Sequence, residues 1–158
     1  MDPKYNQIMK SIFLLILFTL MVTTLIYAQD TRSNNIQKQD IHSLIEKYSQ
    51  AREMKDTVLL ESILATNVDQ LVSSGKWRNG KDESMEGMLQ SSASNPGTRK
   101  IIVEKIRFFN SECGIVDARY EIQNADGTAR KMWSAFIVVY NENMWKITAI
   151  RNMLPAGQ

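Results

Sequence analysis

Few side chains in this sequence are able to move a proton or grip a small molecule. It has one histidine, His42, and one cysteine, Cys113. A zinc site of nitrogen and sulfur ligands needs several such residues, so neither a metal nor any other cofactor is expected, and a Ser-His-acid triad would have to be built on His42 itself. Cys113 sits in Asn110-Ser111-Glu112-Cys113-Gly114, between two predicted strands, and reads as a turn residue rather than a reactive thiol. What remains is a carboxylate, a phenol, an amide and large aromatics. Asp69 is a general base if a cavity raises its pKa, and a helix or turn cap otherwise. Tyr48 lies among apolar residues at helical spacing, so its hydroxyl needs a partner once buried. Trp77 and Trp133 could stack on a ligand or fill a small curved core, and Asn152 offers an uncharged hydrogen-bonding group.

These residues are distant in sequence, so the elements between them must bring them together. The stretch 129–155, ARKMWSAFIVVYNENMWKITAIRNMLP, is aromatic and β-branched over 132–140, breaks at Asn141-Glu142-Asn143 and resumes as a second apolar run. That pattern predicts a hairpin. Adjacent Ile137, Val138 and Val139 imply cover on both faces of its first strand, one by the body of the protein, the other by a partner or the inner wall of a curved sheet. Two further strands are expected over 100–109 and 114–123, with Asp126-Gly127 as a tight turn after them. In the second, Asp117, Arg119 and Glu121 alternate with Val116, Ala118, Tyr120 and Ile122, which puts the charged set toward solvent. The same period of two puts Trp145, Ile147, Ala149 and Arg151 on one face of the last strand, and Lys146, Thr148, Ile150 and Asn152 on the other.

Upstream, Asp40 opens a predicted helix over 41–55, with Ile41, Leu44, Ile45, Tyr48 and Ala51 on one face. A short helix over 57–65 follows, capped by Asp56 or Thr57. A strand at 70–73, its return at 76–78, a helix over 81–90 with Met85 and Met88 inward, and a loop over 91–98 complete the series. Helices first, then four sequential antiparallel strands, is an α+β pattern.

With 158 residues the chain has room for one domain with a core. Its 19 basic and 17 acidic residues leave a formal charge of +2, and the adjacent pairs Arg99-Lys100 and Arg130-Lys131 flank strands, so no nucleic-acid partner is expected. Lys4 and Lys10 precede an uncharged apolar run over 12–28 that closes on Tyr27-Ala28-Gln29-Asp30. Residues 1–28 therefore read as a secretory signal peptide, residues 29–39 as a polar linker and residues 40–155 as the domain. The expected location is periplasmic or secreted, with membrane attachment only if the N-terminal segment stays uncleaved.

From 40 to 155 the chain resembles the nuclear transport factor 2-like (NTF2-like, or SnoaL-like) superfamily. The segment Asp69-Gln70-Leu71-Val72-Ser73-Ser74-Gly75-Lys76-Trp77-Arg78-Asn79-Gly80-Lys81 looks like the family's passage from a short strand through Gly and Trp to the third helix. Lys105-Ile106-Arg107-Phe108-Phe109, the strand from Gly114 to Tyr120, and Trp145-Lys146-Ile147 with Arg151-Asn152 are similar to its SgcJ/EcaC branch. The resemblance implies an α+β cone, with N-terminal helices packed on a strongly curved, mostly antiparallel sheet and a ligand enclosed between them. Isomerase members of the superfamily use a cavity carboxylate beside acidic and phenolic donors, a set with no clear counterpart here. Several branch members carry His-Asn where this chain has Arg151-Asn152. Three functions follow as expectations: an exported cavity protein for a small, largely apolar molecule, an acid-base enzyme (isomerase, cyclase or hydratase), or a dimerisation or association module. Under the first two, Asp69 and Tyr48 share a cavity walled by Trp77 and Trp133, with Asn152 near its mouth. A homodimer is expected through an open sheet face carrying Phe136, Val138 and Trp145.

Overall fold

The computed structural model describes the backbone of residues 3–124 and 126–155, and the side chains of 13–17, 34–124 and 126–155. The chain divides into two units, Met1–Gln39 and Asp40–Gln158. Helix α1 (Pro3–Met54) includes the residues read above as a linker. Gln29, Arg32, Gln37, Lys38 and Gln39 there are good helix formers, and a polar stretch without periodicity does not oppose a helix. The signal-peptide reading falls mostly on residues whose side chains lie outside the described ones. Among the described residues no helix is long and apolar enough to cross a membrane.

In the second unit the stripe Ile41, Leu44, Ile45, Tyr48 and Ala51 of α1 is buried, as its spacing requires. Asp56 caps α2 (Thr57–Ile63), its carboxylate accepting from the Leu59 N–H at 2.9 Å. Strands β1 (Leu64–Leu71) and β2 (Trp77–Asn79) follow, then α3 (Gly80–Ser94) and the long strands β3 (Gly97–Asn110), β4 (Cys113–Asn124), β5 (Ala129–Asn141) and β6 (Met144–Met153). Gly80 sits at φ 76°, a backbone state that glycine adopts without the strain of a Cβ, and it turns the chain from β2 into α3.

The six strands form one sheet in the order β2-β1-β6-β5-β4-β3, antiparallel except where β1 lies parallel to β6. β1 begins at Leu64, where the sequence predicts the end of a helix. Its ladder to β6 is a long-range pairing that local propensity does not encode.

Side chains of the sheet divide into an inner face under the helices and an outer face. Inner rows run Phe108-Gly114-Val138-Ile147-Leu64, then Ile106-Val116-Phe136-Ile150-Gln70-Arg78, then Val103-Ala118-Ser134-Asn152, then Ile101-Tyr120-Met132. The first two rows, with α1, α2 and Met88 of α3, make the main core. The predicted alternation of β6 breaks at one point. Between the pairs Ile137/Ala149 and Val138/Ile147 the register shifts, so Trp145, Ile147, Ile150 and Asn152 share the inner face while Ala149 and Arg151 look outward. A bulge adds one residue to one strand and so inverts the parity of everything beyond it. Phe136, Val138 and Trp145, expected on a dimer face, are instead buried under the helices.

Candidate ligand-binding site

Four residues beyond Tyr48, on the same stripe of α1, Arg52 also turns inward and is only 4% exposed. Long helical side chains point back over the preceding turn. Its Nη1 accordingly donates to the Tyr48 hydroxyl at 2.9 Å, and its Nε donates to Ser92 Oγ of α3 at 3.1 Å. The Tyr48 ring meets Phe136 edge to face at 5.3 Å, which fixes the phenol above the second inner row. The third guanidinium nitrogen, Nη2, has no acceptor among the described residues.

The sheet places further polar groups opposite. Tyr120 is 3% exposed and its hydroxyl is buried without a partner. Beside it on the inner face, Ser134 donates to Asn152 Oδ1 at 2.7 Å. Gln70 is buried and accepts from Arg78 Nη1 at 2.8 Å. The Arg78 side chain lies against Gly87 of α3, where a Cβ would come within 2.3 Å of its Nε. Along β5 the inner positions read Met132, Ser134, Phe136: an apolar residue of a small second cluster with Tyr120 and Ile122, a polar residue, then the main core. A polar belt thus crosses the buried face between two apolar clusters.

The charge in this belt is one-sided. The buried polar residues are Arg52, Gln70, Ser84, Ser92, Arg99 and Ser134, with no carboxylate among those described. Neither Arg52 nor Arg78 is in the described ion pairs, which join Arg119 to Glu104, Lys146 to Glu142 and Arg151 to Asp69. Burial pushes the Tyr48 hydroxyl above its ordinary 10.0 against the pull of Arg52, so it stays a neutral phenol. Burial and the Arg52 cation together push Arg78 down. For Arg52 burial acts downward, but the oxygens of Tyr48 and Tyr120 outweigh it and the net shift is up. Arg99 donates to the carbonyls of Asn95 and Gly97 at the C-terminal end of α3, where a cation is at home, while its Nε is buried without a partner.

The sequence-derived residues fall on both sides of the sheet. Tyr48 and Asn152 face the belt. Asp69 lies in an outer row, Arg107-Ile115-Ile137-Ala149-Asp69-Asn79, and accepts from Arg151 Nη1 at 2.7 Å. The Arg151 guanidinium in turn covers the Trp77 ring at 4.7 Å. Trp77 and Trp133 are 46% and 43% exposed, and Trp133 pairs across strands with Arg119 and Met153 on that outer face. No single cavity therefore unites Asp69 and Tyr48, and the two tryptophans do not wall one. Arg52, Tyr120, Gln70 and Arg78 were not among the expected site residues. Arg52 was detectable as a cation at i+4 from Tyr48 on an otherwise apolar stripe. Tyr120 was detectable as a hydroxyl among the apolar positions of β4.

A separate cleft of about 390 Å³ opens between α1, α2 and the β5–β6 hairpin, lined by residues that include Asp40, Lys47, Leu59, Tyr140 and Trp145. It shares none of its lining with the belt, and its Lys47 and Asp40 are exposed to solvent. Trp145 Nε1, at the cleft, is buried without a partner, but the belt gathers a buried cation, the unpartnered Tyr120 hydroxyl and buried Ser134 and is the stronger site.

Three helices over the inner face of a six-stranded, mostly antiparallel sheet make this an α+β protein with the NTF2-like cone fold. An NTF2-like protein of unknown function from Shewanella oneidensis MR-1 has a TM-score of 0.65 at 19% identity, covering 74% of this chain and 98% of that one. An NTF2-like superfamily protein from Salmonella enterica serovar Typhimurium LT2 has a TM-score of 0.65 at 13% identity, over 79% of this chain and 95% of the other. An uncharacterized protein with a cystatin-like fold from Caulobacter vibrioides has a TM-score of 0.62 at 14% identity, over 76% and 90%. At these identities the likeness is one of fold. In sequence, neither a family model nor a curated protein matches the chain.

Proposed function

We propose that this protein is an exported, non-catalytic binding protein of the SgcJ/EcaC-like branch of the NTF2-like superfamily, holding a small, largely apolar molecule at the inner face of its sheet. The observation that carries the reading is the polar belt itself. Buried polar groups are normally hydrogen-bonded within the protein, and a buried hydroxyl without a partner, in the same belt as a guanidinium that has no carboxylate among the described residues, calls for something else to complete them. Met132, Ile122 and Ile101 next to the belt supply apolar contact for the body of such a molecule. Binding is favoured over acid-base catalysis because the belt offers hydroxyl and guanidinium donors but no carboxylate among the described residues, and proton transfer near neutral pH needs a group that titrates there. Native mass spectrometry of the full chain, purified in a non-ionic detergent, tests this. A retained small molecule that is lost on replacing Ser134 with Phe supports it, and its retention in that folded variant contradicts it.

Export rests on Lys4 and Lys10 before the apolar run 12–28. N-terminal sequencing of protein from the envelope fraction should begin near Gln29, whereas an intact Met1 in the cytosol contradicts it.

A second reading, compatible with the first, is a homodimer through the outer face. It is supported by Trp133 and Met153, which stand exposed side by side, and by Ile115, Ile137 and Val139, which the helices do not cover.

A further inference from the structure

Resting on the binding reading above, we infer that the molecule held at the belt carries a carboxylate, gripped by Arg52 and Tyr120. Arg52 is a cation almost removed from water. A buried charge is normally paired, because leaving it uncompensated is strongly destabilising. Here its partners among the described residues are uncharged, the Tyr48 hydroxyl and Ser92 by hydrogen bonds and the Tyr48 ring at 5.7 Å, and they orient the guanidinium and leave Nη2 without an acceptor among the described residues. Tyr120 is within electrostatic reach of both Arg52 and Tyr48. Its hydroxyl is buried and unpartnered. A guanidinium edge on α1 and a phenol O–H on the inner face of β4, which lies under the helices, are the donors that a planar carboxylate accepts from through its two oxygens.

The number of charges limits the class further. Arg52 is the deeply buried cation of the belt. Arg78, half-buried, is engaged by Gln70 and held against Gly87. One deeply buried cation balances a monoanion, whereas a phosphate dianion asks for more donors and a second committed cation. The apolar residues around Tyr120, namely Met132, Ile122 and Ile101, leave the rest of the molecule as hydrocarbon or aromatic ring. The ligand class is thus a small organic acid with an apolar body.

The test is calorimetric titration of the full chain in non-ionic detergent, first stripped of bound molecules by dialysis. The probes are benzoate, phenylacetate and hexanoate, each against its neutral amide, which keeps the shape and removes the charge. At least one acid is expected to bind about tenfold or more tightly than its amide, since a hydrogen bond to a charged group contributes about 1.5–3 kcal/mol. Arg52→Gln should weaken the acid about tenfold to a hundredfold while leaving the amide nearly unchanged. Tyr120→Phe removes a hydroxyl that has no partner among the described residues. It should leave thermal stability unchanged or higher and weaken the acid about threefold to tenfold. Acids and amides binding equally overturns the carboxylate assignment and leaves the binding reading standing. Binding of none of the six overturns both. A folded Arg52→Gln or Tyr120→Phe variant that binds the acid as the wild type does overturns the role given to that residue.

Discussion

The two faces of one sheet use the same residue types to opposite ends. On the inner face, Tyr48 and Tyr120 are buried and Arg52 has no counter-ion among the described residues. On the outer face, Arg151 is paired with Asp69 and stacked on Trp77, and Arg119 is paired with Glu104, all of them partly in water. Outside, charge is compensated within the protein and screened by solvent, so each pair adds about 0.2–1 kcal/mol. Inside, the Arg52 guanidinium is met by the Tyr48 hydroxyl and ring and by Ser92, with no carboxylate beside it among the described residues. Compensation marks structure, and its absence marks a site.

The contrast breaks most sharply at β5, where neighbouring residues point to opposite faces. Phe136→Lys should prevent folding: truncating a buried Phe costs about 3–5 kcal/mol, and the buried ammonium adds to it. Circular dichroism with a urea titration reads this directly. Trp133→Lys, three residues earlier and outward, should keep the fold within about 1 kcal/mol. Under the homodimer reading it should also halve the mass seen by light scattering. A monomeric wild type would leave the outer face without its second copy.

Tyr48→Phe comes next, at about 1–3 kcal/mol, because it strips a hydrogen bond from a buried cation. It also carries a pH signature. The folded-state pKa of Tyr48 is raised above 10.0, so its contribution to stability is fully present below about pH 10 and is lost as pH rises through the folded value. Wild-type stability should therefore fall more steeply above pH 10 than that of the Phe variant.

Gly87→Ala is subtler. Alanine improves helix propensity by about 1 kcal/mol, but its Cβ takes the space of the Arg78 side chain and drives the guanidinium from Gln70. Stability should change by less than about 1 kcal/mol in thermal melts, while the position of Arg78 in a crystal structure shifts. Smallest of all, Asp69→Asn removes a half-exposed ion pair and should cost about 0.2–1 kcal/mol in a urea titration. A larger loss would mean that the outer pair is not screened.

The fold was legible because it rests on periodicities. The α1 stripe, the Asp56 cap and the β5–β6 hairpin follow from spacing that tertiary contacts do not override. The length of β1 and its parallel pairing with β6 were not legible, since both depend on a partner eighty residues away that local preference does not specify. The faces of β6 were misread for a local reason. The register shift between Ile147 and Ala149 has no marker such as glycine in Ile147-Thr148-Ala149, so strict alternation carried Trp145 and Arg151 to the same side. Of the site, Tyr48 and Asn152 could be read as polar groups near apolar ones. Asp69 drew attention as an acid beside a strand, but the parity of β1 turns it outward to Arg151. Arg52 went unread because an arginine in the last turn of a helix is ordinarily a solvated end.

Electron density at the belt is the most direct measurement of the central claim, obtained from crystals of the full chain prepared without stripping. Continuous density is expected within hydrogen-bonding distance of both Arg52 Nη2 and the Tyr120 hydroxyl, extending toward Met132. A belt closed by ordered waters alone, or by Asn152 turning to satisfy Tyr120 directly, would contradict it and make Arg52 a structural residue of the core.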